Sequence, residues 1–123
     1  MILKCIAVGI GGFLGSVARY LLSLVPLQAH GNYPVNTFIA NILGALIIGV
    51  VIALAQNSDM EPEKILFLKV GLCGGLTTFS TFSVETLGFI QSGNFWMAVA
   101  YVLASVVICV AGVYCGIRIG NMI

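Results

Sequence analysis

The residue types that could carry chemistry in this chain are concentrated in residues 71–85, which read GLCGGLTTFSTFSVE. A glycine pair at 74–75 is followed by five hydroxyl side chains within the seven positions 77–83. Glycine loses much backbone entropy in a helix, and clustered Ser and Thr compete for its hydrogen bonds. We therefore predict a helix break here, where freed carbonyls could hold a cation and freed N–H groups an anion. The alternative is a kinked helix whose hydroxyls bond back to their own backbone.

Two phenylalanines stand among these hydroxyls. Phe79 and Phe82 are three residues apart, so they project from the same side of the helix that follows the break. An aromatic ring is electropositive at its edge. Two ring edges beside the hydroxyls of Ser80, Thr81 and Ser83 would give a small, strongly hydrated anion partial replacements for its water. The simpler interpretation is a phenylalanine pair that only packs in a core.

Further polar residues lie inside apolar stretches. Ionisable side chains at such positions indicate function by default, so Arg19 and Glu85 could pair, or Arg19 could face a vestibule and attract anions. Snorkelling of Arg19 to the membrane interface is the alternative. Asn41 is a candidate polar lining group, and Tyr101 and Ser105, one helical turn apart, could supply further hydroxyls.

The composition identifies the surroundings in which these residues act. The chain has 123 residues, of which 60% are hydrophobic and 7% charged, whereas soluble domains carry about 25% charged residues. Five Lys and Arg with four Asp and Glu cannot cover a water-facing surface of this size. These numbers exclude a soluble enzyme, a nucleic-acid-binding protein and a disordered tail, and they favour an integral membrane protein.

Four apolar stretches are long enough to cross a bilayer, which takes about 20 helical residues. They cover residues 2–27, 35–56, 65–91 and 95–117. None alternates between apolar and polar residues, so the pattern favours helices over a barrel. The first stretch could be a signal peptide, but it is long, lacks an A-x-A cleavage site and contains Arg19 and several glycines, so we interpret it as a transmembrane helix. We predict an all-α membrane protein with one domain, residues 1–123, formed by four transmembrane helices with the third broken near mid-membrane.

Short polar connections at residues 31–34, 57–63 and 91–94 separate the stretches, so consecutive helices should run antiparallel. Both termini and the acidic 57–63 connection then lie on one side of the membrane. That side carries Lys4, Lys64, Lys69 and Arg118. Only Arg19 lies toward the other side, so the positive-inside rule predicts cytoplasmic termini.

Small residues four apart mark helix contacts in lipid. They occur as Gly11-x-x-x-Gly15, Gly12-x-x-x-Ser16, Gly71-x-x-x-Gly75 and Gly112-x-x-x-Gly116-x-x-x-Gly120. They could serve packing within the bundle or a dedicated oligomer interface. The four cysteines have no metal-ligand spacing and His30 is the only histidine, so the cysteines are interpreted as small packing residues. No nucleophile–base pair is present, and we predict no enzymatic activity.

The 71–85 segment, Gly11-Gly12 with Arg19, and Asn-x-x-Gly at 41–44 together resemble the Fluc (CrcB) fluoride channels of bacteria. The resemblance extends over essentially the whole chain. It implies an antiparallel, dual-topology homodimer in the bacterial inner membrane with two pores along the dimer interface. It also implies passive, fluoride-selective export down the electrochemical gradient, which reduces cytoplasmic fluoride toxicity. The implied partners are fluoride, a second copy of the chain and the lipid bilayer, with no nucleic acid.

The resemblance also assigns roles to individual residues. It implies a fluoride pathway formed by Phe79, Phe82, Asn41, Ser80, Thr81, Ser83, Tyr101 and Glu85. It gives Arg19 a vestibule or structural role. It implies that backbone carbonyls of Gly74 and Thr77 hold a structural sodium ion at the dimer interface.

Two other functions stay open at this point. A small dual-topology, proton-coupled exporter would have similar length, but such proteins need a membrane-embedded carboxylate in the first helix, where this chain has Arg19. An accessory membrane subunit would use the break only as a kink.

Overall fold

The computed structural model describes residues 1–27 and 33–123, and four helical spans in these ranges are long and apolar enough to cross a membrane. The third span consists of two helices. The helices are α1 Ile2–Ser23, α2 Val35–Asn57, α3 at residues 62–76, α4 Phe79–Gln91 and α5 Phe95–Met122. The predicted all-α architecture with four transmembrane helices is confirmed. Residues 31 and 32 of the predicted first turn lie outside the described ranges.

The ends of the helices differ from the predicted ones for local reasons. α1 ends at Ser23 instead of residue 27, because Pro26 has no N–H and disfavours helical geometry in the residue before it. The Asn36 amide donates to the Val25 carbonyl beyond the helix end at 2.9 Å. α3 begins three residues earlier than predicted, with Pro62 in its first turn, where the missing N–H costs nothing.

The closest packing joins spans that run in the same direction. α1 packs along α3, and a Cβ on Gly11 or on Gly15 would overlap the carbonyl oxygen of Phe67 or of Leu72, respectively. A Cβ on Gly71 would lie 2.7 Å from the Val8 carbonyl oxygen. These glycines let the two backbones touch, so they serve packing within one chain.

α2 and α5 form the second closely packed pair. Small residues face each other at every turn: Ala45 with Gly112, Gly49 with Gly116, and Ala53 with Gly120. The sequence predicted the glycine stripe of α5 but not the complementary stripe of α2. Gly12 and Gly74, in contrast, have open space where a Cβ would lie.

The predicted break in the third span is present, and it directly follows the glycine pair and Leu76. Gly74 keeps helical angles (φ −63°, ψ −36°), and the chain becomes extended at Thr77 and Thr78. The eight residues Leu66–Cys73 of α3 are π-helical, which the sequence did not predict. α3 lies against α1, whereas α4 lies against α5, so the break is where the span changes its packing partner.

Candidate functional site at the helix break

The side chain of Asn41 in α2 completes the hydrogen bonding of the broken backbone. Its Oδ1 accepts from the Thr78 N–H at 2.8 Å, and its Nδ2 donates to the Thr78 carbonyl at 3.2 Å. Gly44 of α2 has no Cβ, and the Thr77 methyl group occupies the space that this Cβ would fill. An unpaired backbone group at membrane depth costs several kcal/mol. The amide of Asn41 therefore stabilises a conformation that would otherwise be unfavourable in lipid.

Arg19 lies at the carboxyl end of α3. Its Nε donates to the Gly75 carbonyl oxygen at 3.0 Å. A guanidinium group is favourable here because the end of a helix carries partial negative charge. The pairing of Arg19 with Glu85, which the sequence left open, is not formed in the described part of the chain, where the ion pair present joins Lys64 to Glu61. The Glu85 carboxylate accepts hydrogen bonds from Thr37 and Tyr101 instead.

The hydrogen bond between Asn41 and the Thr78 N–H also releases one carbonyl of α3. In a continuous helix the Gly74 carbonyl would accept from the Thr78 N–H, but that N–H is bound to Asn41. The Cys73 carbonyl, in contrast, accepts from both the N–H and the hydroxyl of Thr77 at 3.0 and 2.8 Å. The Gly74 carbonyl is thus freed from its helical donor at a residue with open surroundings.

The amino end of α4 carries a cluster of hydroxyls. The Thr78 Oγ1 accepts from the Thr81 N–H at 3.2 Å and lies 3.1 Å from Thr81 Oγ1 and 3.3 Å from Ser80 Oγ. This is N-capping, which satisfies a free donor of the first turn. The structure brings the predicted Ser80 and Thr81 together at the positive end of the helix dipole. Thr78 itself was not among the predicted site residues, although its place directly before a helix is typical of an N-cap.

Other hydroxyls bond back to their own helix, as the kinked-helix alternative expected. Ser83 donates to the Phe79 carbonyl and Thr86 to the Phe82 carbonyl, each at 2.8 Å. Ser83 lies outside the Thr78 cluster. Back-bonding and a full break therefore occur in the same span.

The two predicted phenylalanines lie side by side. The ring centroids of Phe79 and Phe82 are 5.6 Å apart. Phe79 is 80% exposed, whereas Phe82 is half-buried and packs on Tyr101 with centroids 5.0 Å apart. A single chain thus leaves one of the two rings largely uncovered.

Glu85 belongs to a separate polar cluster one to two turns further along α4. Its two carboxylate oxygens accept from Thr37 Oγ1 and the Tyr101 hydroxyl, each at 2.6 Å. Tyr101 is fully buried between aromatic rings, one of which is that of Tyr33. Burial raises the pKa of Tyr33. Thr37 was missed from the sequence, although it lies one turn before Asn41 and so shares its face of α2.

Two open grooves flank the break. The break groove has a volume of about 400 Å³, and its lining includes Asn41, Lys69, Gly74, Thr77, Phe79, Phe82, Ser105 and Cys109. The Arg19 groove, about 330 Å³, includes Arg19, Asn36, Thr37, Thr78 and Thr81 in its lining. Ser105 is 7% exposed, and its hydroxyl has no hydrogen-bond partner among the described residues. The predicted residues Asn41, Gly74, Thr77, Phe79 and Phe82 line the break groove, and Arg19 and Thr81 line the Arg19 groove. The two grooves meet at Thr78, whereas Ser80, Ser83, Glu85 and Tyr101 line neither.

A metal ion held by side chains is not supported in the part of the chain that the structure describes, since no three His, Cys, Asp or Glu side chains cluster there. The four cysteines are free. Backbone oxygens such as that of Gly74 are the ligands that the break itself supplies.

These features define a small multi-pass membrane protein whose broken span gathers helix ends, hydroxyls and aromatic rings, and broken spans of this kind are typical of proteins that move ions. Residues 6–117 match the family described as CrcB-like protein, Camphor Resistance (CrcB). The fluoride-specific ion channel FluC of Shewanella pealeana is 47% identical over 110 residues, which are 89% of each chain. Those of Shewanella halifaxensis and Shewanella piezotolerans are each 46% identical over the same share.

The chain belongs to the CrcB-like family. The resemblance inferred from the 71–85 segment is confirmed. Because these relatives are named ion channels, the prediction that the chain is not an enzyme is confirmed as well.

Proposed function

We propose that the chain is a fluoride-selective channel that lets fluoride leave the cytoplasm passively, down its electrochemical gradient. The observation that carries the proposal is the break at Thr77 and Thr78, which sets Phe79 and Phe82 beside the positive end of α4. The names of the Shewanella relatives, which are fluoride-specific ion channels, support fluoride as the ion. Export across the bacterial inner membrane would reduce fluoride toxicity.

The proposed pathway follows α4. Fluoride is small and costly to dehydrate, so a pore needs donors and positive ring edges close together along its length. The hydroxyls of Ser80, Thr81 and Ser83 would supply hydrogen-bond donors. The edges of Phe79 and Phe82 would contact the ion where it passes between these hydroxyls. Asn41 would contribute at the break groove.

Glu85 and Tyr101 would extend the pathway at the far end of the hydroxyl track. The carboxylate of Glu85 already accepts from Thr37 and Tyr101, so these donors offset its charge. The same two hydroxyls could turn toward a passing anion. Arg19, fixed on the Gly75 carbonyl, would act as a structural charge beside the Arg19 groove.

We further propose that two chains form an antiparallel, dual-topology homodimer with two pores. The break groove of one chain is open, and the hydroxyl, amide and backbone groups that line it would be unfavourable against hydrocarbon. The exposed Phe79 ring also supports a covering surface. A second copy related by a two-fold axis would cover each groove with the same surface.

A structural sodium ion at this axis fits the residues present. Hard cations take oxygen ligands, including backbone carbonyls. Gly74 and Thr77 both line the break groove, and the Gly74 carbonyl is released from its helical donor. Two such carbonyls from each copy would supply four oxygens, and the bound charge would hold the two breaks together.

Flux measurements on purified protein in liposomes test the channel proposal. Fluoride-loaded vesicles with a potassium ionophore should lose fluoride passively, without proton exchange and in strong preference to chloride. Proton exchange coupled to another substrate would instead identify an exporter. The sequence of α1 argues against an exporter, because α1 contains no Asp or Glu to carry the proton. No flux of any kind would leave an accessory subunit.

A further inference from the structure

One charged residue lines the break groove, and the proposed pathway does not use it. Lys69 is the only charged residue among the described residues that line this groove. It lies in the π-helical part of α3, four residues before Cys73 and five before Gly74, and both of these also line the groove. The groove therefore contains a cation next to the backbone of the break.

Lys69 has no carboxylate to neutralise it. In the ranges 1–27 and 33–123, the ion pair present joins Lys64 to Glu61 at 3.2 Å, outside the groove. The third span contains the carboxylates of Glu63 and Glu85, and neither lines the groove. Glu85 accepts hydrogen bonds from Thr37 and Tyr101. The other lining side chains are uncharged.

Lys69 lies deep enough in the span that its ammonium group is more favourable in the groove than in hydrocarbon. It is about 10 Å along the helix axis from Pro62, the first residue of the span, at about 1.5 Å per residue. An ammonium group at that depth must turn to a wet cavity or reach back to the interface. The side chain is exposed and the groove passes beside it.

We propose that Lys69 draws anions into the break groove and so raises the rate at which fluoride reaches the break. This inference rests on the proposed channel function and adds a residue that controls access. A single-sign cleft with low-dielectric walls concentrates counter-ions and raises their rate of entry, and salt weakens the effect.

Flux at two ionic strengths separates this role from packing. At about 0.01 M, where the Debye length is about 30 Å, Lys69→Gln should lower initial fluoride flux about threefold or more. At about 1 M, where it is about 3 Å, the variant and the native protein should converge. Lys69→Arg should retain the native rate, and Lys64→Gln, which removes a lysine outside the groove, should change little. A loss of flux at Lys69→Gln that salt does not diminish would overturn the proposal.

A second measurement does not depend on fluoride conduction. Cys109 lines the same groove, so its thiol can report the local potential after Cys5→Ser, Cys73→Ala and Cys115→Ser. Anionic and cationic thiosulfonate reagents of equal size should modify Cys109 at different rates, with the anionic reagent faster. Lys69→Gln should reduce this ratio about threefold or more at low salt.

The two measurements fail in distinguishable ways. If the native protein conducts no fluoride but the ratio of modification rates at Cys109 still depends on Lys69, the channel proposal fails while the groove remains positive. An unchanged ratio in Lys69→Gln contradicts the inference even if fluoride flux is normal. A Cys109 thiol that reacts with neither reagent also contradicts it, because the groove would then be closed to ions.

Discussion

At the scale of single residues, the phenylalanine pair is the part of the site with the sharpest functional consequence. If ring edges replace water around fluoride, Phe79→Ile and Phe82→Ile should each lower fluoride flux roughly 3- to 10-fold, the factor expected from the energy of one aromatic contact. The liposome assay measures this decrease in fluoride flux. Phe13→Ile, which changes an exposed ring on α1, is the matched control and should leave flux unchanged. Native flux in both pathway variants would remove the ring-edge role.

Asn41 belongs to the same scale, but its first effect should be on stability. Asn41→Ala leaves the N–H and the carbonyl of Thr78 without their partner, and each unsatisfied group costs about 1–3 kcal/mol. The Tm in detergent, followed by circular dichroism, should therefore fall well below that of the native protein. Asn57→Ala breaks an exposed side-chain pair with Asn121 and should lower the Tm far less. Equal losses in the two variants would mean that Asn41 does not secure the break.

At the scale of elements, the sequence predicted the spans and the existence of the break but not its geometry. Apolar runs determine which segments cross lipid, so four spans follow from composition alone. The break was expected within the glycines and hydroxyls at 74–83, and in the structure Gly74 is helical while Thr77 and Thr78 are extended. The reason lies in tertiary contacts, because Asn41 and Arg19 take the backbone groups that a continuous helix would use. No local pattern reports such partners, and none indicated the π-helical segment Leu66–Cys73.

Helix packing gives a prediction that belongs to this scale. Gly49→Val would place side-chain atoms against the Val113 carbonyl and push α2 and α5 apart. Overpacking of this kind costs about 1–3 kcal/mol or more. Gly9→Val carries the same change in helix propensity at a position with no atoms within 4 Å of a Cβ. The Tm should fall clearly for Gly49→Val and little for Gly9→Val, and similar values would contradict the intrachain role of the α2 stripe.

At the scale of the whole molecule, the few charges favour one orientation, while the proposed homodimer needs two. The connections at Ser58 and Ser92 lie on opposite sides of the bundle, since one span separates them. Ser58→Cys and Ser92→Cys, each in a background without the four native cysteines, therefore report both faces of the membrane. In intact cells, a membrane-impermeant thiol reagent should label about half of each variant if insertion is mixed.

A single orientation would give a different pattern, because the positive-inside rule acts on each inserted chain. With cytoplasmic termini, Ser92→Cys would be labelled completely and Ser58→Cys not at all. Lysed cells, in which both variants should label fully, control for thiol reactivity. A complete contrast between the two variants would exclude the antiparallel pair, since a two-fold axis in the membrane plane requires each copy to face the opposite way. Equal half-labelling would instead show that Lys4, Lys64, Lys69 and Arg118 together are too weak a bias to orient so sparsely charged a chain.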